Sequence, residues 1–247
     1  VTVLKRTRLI GVARRIRDLV SPRVRRQNRR MFAFYRQFIR PGDLVFDVGA
    51  NVGNRTATFL QLGARVVAVE PQEACARELM RRFGRDPRFS LVTNALAASE
   101  GEGELLIADE STVSSMATDW IDRVKGTGRF GDIDWRGTQK VRTTTLDALI
   151  DAHGVPAFCK IDVEGFEATV LHGLSRRIAG MSFEFTAEFA ESAARCVEHL
   201  VSIGLDHFNL SFGESMALAL PEWVGAEEIL QRVRNAPADA FGDIYAR

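Results

Sequence analysis

Apolar residues in this chain come in two rhythms. Compact runs at 44–48, 65–70, 89–94, 157–162 and 181–187 are rich in Val, Ile, Leu and Phe and read as strands buried on both faces. Between them, over 54–62, 72–84, 145–153, 165–176 and 190–203, apolar positions recur at the spacing of helices that pack one face on a core. Strand and helix alternate, which predicts an α/β fold, doubly wound and mostly parallel, with helices on both faces of the sheet. Residues 104–109 read as a short added strand after the Glu100-Gly-Glu-Gly turn. His207–Ser211, Met216–Leu220 and Gly242–Tyr245 suit strands closing an edge, with a helix over 225–234 between them. From Glu110 to Thr138 the pattern collapses into a polar stretch holding Trp120 and Trp135, expected to form an irregular flap.

Ahead of the first strand, Leu9, Val12, Ile16, Leu19 and Val20 fall at helical spacing and predict an amphipathic helix. Ser21-Pro22 punctuates it, a second helix is expected from Arg23 to Ile39, and Pro41-Gly42-Asp43 turns the chain into the sheet. The pattern thus divides the chain into a helical extension, residues 1–40, and one α/β domain, residues 41–247, with no internal repeat.

Charge sharpens that division. Residues 1–40 hold 13 basic residues and one acid, Asp18, a net +12, whereas residues 41–247 carry a net −11. Three readings of the basic arm stand side by side: a cover packed on the acidic body, a surface for an anionic partner such as nucleic acid or acidic lipid, and an oligomer contact. Aromatic residues interleave with the arginines only at Phe32, Phe34 and Tyr35, a weak basis for stacking on nucleic-acid bases. Hydrophobic content of 46% with 26% charged residues is that of a globular domain, and no apolar run approaches the length of a transmembrane segment. Three cysteines, Cys75, Cys159 and Cys196, lack metal-type spacing and read as reduced thiols of a cytoplasmic protein; the arginine-rich start does not resemble a secretory leader.

The candidate chemistry starts in Leu44-Val-Phe-Asp-Val-Gly-Ala-Asn-Val-Gly-Asn-Arg-Thr56. An apolar run ends in Asp47, breaks at Gly49 and Gly53, and restarts as a helix. A second run ends in Glu70-Pro71, 23 positions after Asp47. Glycines let backbone N–H groups approach a ligand, and the helix start offers free donors. Glu70 can accept two hydrogen bonds from a pair of ribose hydroxyls. Asn51 replaces the middle glycine of a dinucleotide fingerprint, and a carboxylate at the strand end would repel a pyrophosphate but favour an ammonium. An adenosine-bearing, positively charged ligand is expected. The stretch resembles the first motif of class I S-adenosylmethionine-dependent methyltransferases, and that resemblance implies that Asp47, Gly49, Ala50, Asn51 and Gly53 line the methionine end of the donor, with Asn94 and Ala95 near its adenine. Lys160-Ile-Asp-Val-Glu-Gly165 ends the fourth strand beside the first. It sets Lys160, Asp162 and Glu164 on one side of the chain, either as an ion pair with helix-capping acids or as groups close to the reacting atoms.

Together, Phe46-Asp-Val-Gly-Ala-Asn-Val-Gly53, Val69-Glu-Pro71, Asn94-Ala-Leu-Ala-Ala98, Ser114-Ser115, Thr145-Leu-Asp-Ala-Leu149 and Lys160-Ile-Asp-Val-Glu-Gly165 resemble the FkbM family of methyltransferases over about residues 40–190. The resemblance implies a seven-stranded Rossmann-like methyltransferase sheet, S-adenosylmethionine as donor, and O-methylation of a sugar, glycan or polyketide-like small molecule. An RNA methyltransferase using the basic arm is the alternative. Phe166 and the arginine-rich first 40 residues depart from the shared pattern. An alcohol acceptor must lose its proton, a task expected of Asp162 first and Glu188 second, with Glu164 or Lys160 in support. Ser115 is a candidate donor contact. A divalent metal held by Asp162, Glu164 and Glu188 is conceivable, but no metal is expected. The four histidines, His153, His172, His199 and His207, offer no pairing.

Overall fold

The computed structural model describes residues 22–108, 115–117 and 135–247. The stretch Leu9–Val20, Ser114, Trp120 and most of the expected flap lie outside the described residues. In chain order the elements are α1 (Pro22–Tyr35), β1 (Leu44–Val48), α2 (Asn54–Gln61), β2 (Arg65–Val69), α3 (Glu73–Phe83), β3 (Phe89–Val92), β4 (Ala95–Leu96), β5 (Gly101–Ala108) and β6 (Trp135–Thr144). They continue with α4 (Leu146–His153), β7 (Phe158–Ile161), α5 (Glu167–His172), β8 (Met181–Thr186), α6 (Ala190–Ser202), β9 (Phe208–Phe212), α7 (Ala226–Arg234) and β10 (Phe241–Ala246).

Seven strands form one sheet in the order β3-β2-β1-β7-β8-β10-β9. The first five pair in parallel, and β10 runs antiparallel to both β8 and β9. Every residue of β1 and β7 is buried, the signature of strands covered on both faces. Alternation sorts their side chains between two layers. Val45 and its register partner Phe158 face the core beneath α1 and α2, while Phe46 and Cys159 face the core beneath α4, α5 and α6. The strand order reverses at β1 and β7, so the crevice beyond their carboxyl ends is where an open sheet of this kind binds ligands.

Helix α1 is built into the body of the protein. Met31, Phe34, Tyr35 and Ile39 are buried in the same core as Phe59 and Phe158. The helix ends at Tyr35 rather than Ile39. The turn that follows lays Phe38 flat on Phe158 and Tyr245, with ring centroids 5.3 Å apart in each pair.

Four sequence expectations need correction. Trp135–Thr144 is strand β6, paired antiparallel with β5, not the end of an irregular segment. Among its described side chains the buried apolar signal is Val141 alone, which packs in a small separate cluster with Ala95 and Leu105. Strand β5 starts at Gly101 and absorbs the expected turn; a Cβ on Gly103 would sit 2.4 Å from the Met116 methyl, so the glycine serves packing. Met216–Leu220 is a loop in which Met216 takes φ 53°, and its one ladder-like bond runs from Ala219 N–H to the Leu210 carbonyl. The third main strand also stops at Val92, and Ala95–Leu96 passes to the small sheet β4-β6-β5. Among the described residues, no helix is long and apolar enough to cross a membrane.

Candidate active site

The turn after β1 is set by left-handed residues. Gly49 (φ 76°), Asn51 (φ 49°) and Gly53 (φ 82°) alternate with ordinary ones. At Gly49 only glycine fits, because a Cβ would lie 1.7 Å from the Asp162 carbonyl oxygen at the end of β7. Asn tolerates the left-handed region, and the Asn51 side chain closes the turn by accepting the Val52 N–H at 2.7 Å. Here lies the reason Asn51 stands where a dinucleotide motif has glycine.

Glu70, at the end of β2, is buried and ties this turn to the next. Its two oxygens accept the N–H groups of Asn51 (2.7 Å) and Gln72 (2.9 Å). The Gln72 side chain also hydrogen-bonds to this carboxylate, whose remaining acceptor capacity is open to a ligand hydroxyl. Burial pushes the Glu70 carboxyl up to about 7 against the pull of those two N–H groups. Asp47 is buried as well and is held by the Thr56 hydroxyl; burial raises its pKa too. From the small sheet, Gln139 of β6 donates to the Pro71 carbonyl at 2.6 Å, pinning the loop after Glu70.

A second charged cluster sits at the end of β7. The fully buried Lys160 ammonium donates to Asp162 (3.0 Å) and to Asp243 of β10 (3.2 Å). Burial opposes the Asp162 charge, but Lys160 and a hydrogen bond from Glu184 outweigh it, so the carboxyl titrates below its usual range. Glu184 of β8 shifts the other way: burial, then the Asp162 charge, hold it well above, so it carries the proton of the pair at neutral pH. Carboxylate oxygens of Asp162, Glu164 and Glu184 lie within 4.8 Å of one another. Past Asp162 the chain turns through left-handed Glu164 and Gly165, and Glu167 braces the turn by accepting the N–H groups of Val163 (3.0 Å) and Gly165 (3.3 Å). Burial pushes Glu167 up to about 7. Ser115 donates to the Glu164 carbonyl at 2.6 Å and so fastens residues 115–117 over this turn.

These groups frame two adjoining cavities. The first, about 250 Å³, opens at the ends of β1, β2 and β7. Of the residues singled out in the sequence, its wall contains Asp47, Gly49, Ala50, Asn51, Glu70, Pro71, Ala95, Ser115, Lys160, Asp162 and Glu164. Asn94 is outside that wall, and Gly53 backs it, packed on Leu79 and Phe83. The second cavity, about 680 Å³, lies over β8 and the start of α6 and is lined by Glu184, Glu188, Thr186, Phe189 and Arg195 among others. Met116 and Phe166 belong to both walls. Glu188 therefore faces the second cavity, and Glu184, not Glu188, joins Asp162 and Glu164. Sequence reasoning passed over Glu184 because it sits inside an apolar strand rather than at its end. It also passed over Arg55 and Glu214. Arg55, in the first turn of α2, holds both oxygens of Glu214 at 2.8 Å, and both residues line the first cavity. A basic residue beside the glycine turn was a signal available for Arg55; Glu214, far along the chain, had none.

The family model described as Methyltransferase FkbM domain matches residues 47–231. The chain belongs to that family. A curated relative, hexuronic acid methyltransferase AglP of Haloferax volcanii, is 25% identical over 144 residues, covering 57% of this chain and 54% of its own. The chain thus matches about half the length of that relative. Among solved structures, precorrin-6y C5,15-methyltransferase from Geobacter metallireducens superposes with a TM-score of 0.48 at 11% identity, covering 92% of this chain and 89% of that one. A TehB-like SAM-dependent methyltransferase from Corynebacterium glutamicum gives 0.46 at 9% identity, covering 88% and 87%.

S-adenosylmethionine is the cofactor, and the first cavity suits it. Five carboxylates in the wall, Asp47, Glu70, Asp162, Glu164 and Glu214, outnumber Arg55 and Lys160. That balance favours a sulfonium and an ammonium and disfavours a pyrophosphate. Arg55 Nε–H is buried without a hydrogen-bond partner among the described residues, a donor suited to a carboxylate.

Proposed function

We propose that this enzyme methylates a hydroxyl of a sugar, glycan or related small molecule, and that the acceptor enters through the second cavity. The observation that carries this reading is the meeting of the two cavities at Met116 and Phe166, with Asp162, Glu164 and Glu184 beside the junction. Glu70 would hold the donor's ribose, the turn from Asp47 to Asn51 its methionine end, and Pro71 and Ala95 the side of the adenine. Bound there, S-adenosylmethionine supplies an electrophilic methyl group on a positively charged sulfur. The remaining task belongs to the chain. Asp162 stays ionised because Lys160 pairs with it, and its side chain keeps about a third of its surface exposed (35%). It can accept the hydrogen bond of an acceptor hydroxyl and so fix the oxygen in line. A low-pKa carboxylate suffices as the final proton acceptor, because a freshly methylated, still protonated ether is a far stronger acid than any carboxyl. Glu184, already protonated, steadies Asp162.

Sugar recognition has two supports: the name of the curated relative, a hexuronic acid methyltransferase, and the mix of carboxylates, hydroxyls and rings around the second cavity. The alternative, an RNA acceptor reached through the basic arm, loses its stacking platform, since Phe34 and Tyr35 are buried against the sheet. The test is transfer of labelled methyl from S-adenosylmethionine to a panel of neutral sugars, uronic acids and amino sugars beside a structured RNA. Label in an ether-linked methyl of a sugar is the expected result. Label in RNA alone would overturn the reading.

A further inference from the structure

We propose that the outer face of α1 docks this enzyme on a membrane surface rich in anionic lipid. Between Leu19 and Gly42 the sequence has seven arginines and no acid. Arg25, Arg26, Arg29, Arg30, Arg36 and Arg40 are exposed, and none of them forms an ion pair among the described residues. On α3 and α7, by contrast, the exposed Arg77, Arg81 and Arg232 each pair with a glutamate three or four residues away.

The arrangement on α1 opposes the helix's own stability. Arg25 with Arg29, and Arg26 with Arg30, are like charges one turn apart, which repel. Arg25 and Arg26 also lie close to the amino terminus of a helix whose first turn has no acid, where the macrodipole favours anions. A dense external negative charge relieves both effects. The rest of the chain, net −11, is repelled by the same surface, so the charge asymmetry also fixes the orientation of docking.

A membrane suits this face better than RNA. The aromatic rings of α1 turn inward, leaving guanidinium groups with no exposed ring to stack on bases. The sequence ahead of α1 mixes Leu9, Val12, Ile16, Leu19 and Val20 with Arg8, Arg14, Arg15 and Arg17, a composition suited to an anionic bilayer surface. The docking face is also coupled to the donor cavity. Gln27 of α1 donates to the Glu214 carbonyl at 3.1 Å, and the Glu214 side chain, held by Arg55, forms part of the cavity wall. Docking would thus bring the mouth of the active site close to the lipid surface, where a glycan on a lipid carrier would present its hydroxyls.

The experiment is co-sedimentation of the full chain with phosphatidylglycerol–phosphatidylcholine vesicles, with pure phosphatidylcholine vesicles and a duplex RNA as competitors. Binding to the anionic vesicles alone, weakening as salt rises, is expected. With roughly a fivefold contribution from each arginine near an anionic surface, the R25E/R26E/R29E/R30E variant should bind more than a hundredfold more weakly. The variant should still bind S-adenosylhomocysteine; that readout shows the fold and donor site intact and separates this proposal from the assignment of the acceptor. Equal vesicle binding by the two proteins would overturn the proposal. So would RNA stripping the wild type from the vesicles, or self-association that the four substitutions abolish while vesicle binding is absent.

Discussion

The two cavities that meet at Phe166 are built by opposite means. The donor cavity is a backbone construction: left-handed Gly49 and Asn51, N–H groups gathered on Glu70, and a carbonyl of β7 so close to Gly49 that no side chain fits between. The second cavity is a side-chain construction, assembled from residues 116–117, the turn after β7, the end of β8 and the start of α6. The first tolerates almost no variation in residue type, because backbone conformation depends on it. The second can change its lining without disturbing the sheet.

Substitutions should reveal that contrast, the largest at Gly49. Gly49→Ala needs a positive φ and drives a Cβ into the Asp162 carbonyl, and we expect a loss of about 4 kcal/mol or more in urea unfolding. Only a small loss would mean that the two strand ends can separate, and the donor cavity would not be rigid. Next comes Asp162→Asn at the junction. Lys160 retains Asp243 as a partner, so the fold should survive. Turnover should fall by roughly 100- to 10,000-fold while S-adenosylhomocysteine affinity barely changes. A fully active variant would exclude Asp162 from the reaction.

Glu70→Ala, on the donor side alone, should weaken donor binding by about 1.5–3 kcal/mol, ten- to a hundredfold, as measured by calorimetry. Glu70 also predicts a pH dependence. Its carboxyl titrates at about 7 in the folded protein, and the ionised form is the better acceptor for ribose hydroxyls, so donor affinity should climb as pH rises through 7 and then level off. Stability should run the other way. Glu70 and Glu167 both have folded-state values raised from 4.5 to about 7, so the folded protein binds more protons than the unfolded chain in that interval. The ligand-free protein should therefore lose stability as pH goes from 5 to 8, on the order of 3 kcal/mol per carboxyl, visible as a falling Tm. A Glu70→Gln variant whose donor affinity kept the same pH profile would remove Glu70 as its source. The smallest effect belongs to Phe166→Ala. It should raise the acceptor KM by about 1 kcal/mol while the donor Kd stays put. Equal shifts in both would show that the cavities act as one.

Much of the donor side could be read from residue types alone. Asp47, Gly49, Asn51, Gly53 and Glu70-Pro71 occur within one strand-turn-helix-strand unit, and each residue type has a backbone or hydrogen-bonding reason to be there. The alternation of runs gave the parallel part of the sheet for a similar reason: strands buried on both faces leave unbroken apolar stretches. Weak spots lay where burial is one-sided. Polar β6 looked like loop because, among its described side chains, Val141 is the one buried apolar residue, and Met216–Leu220 looked like strand although it runs along the rim as a loop.

Sequence by itself thus determined the sheet class, the family and the chemistry of the donor turn, all encoded by near neighbours in the chain. Tertiary structure alone decided three things. It decided that Glu184 rather than Glu188 pairs with Asp162, that Arg55 meets Glu214 across 159 positions, and that half of the basic arm packs into the core while its arginines face outward. Each depends on which side chains a strand register or a helix face turns toward a distant segment. Such a distance along the chain leaves no local pattern to read.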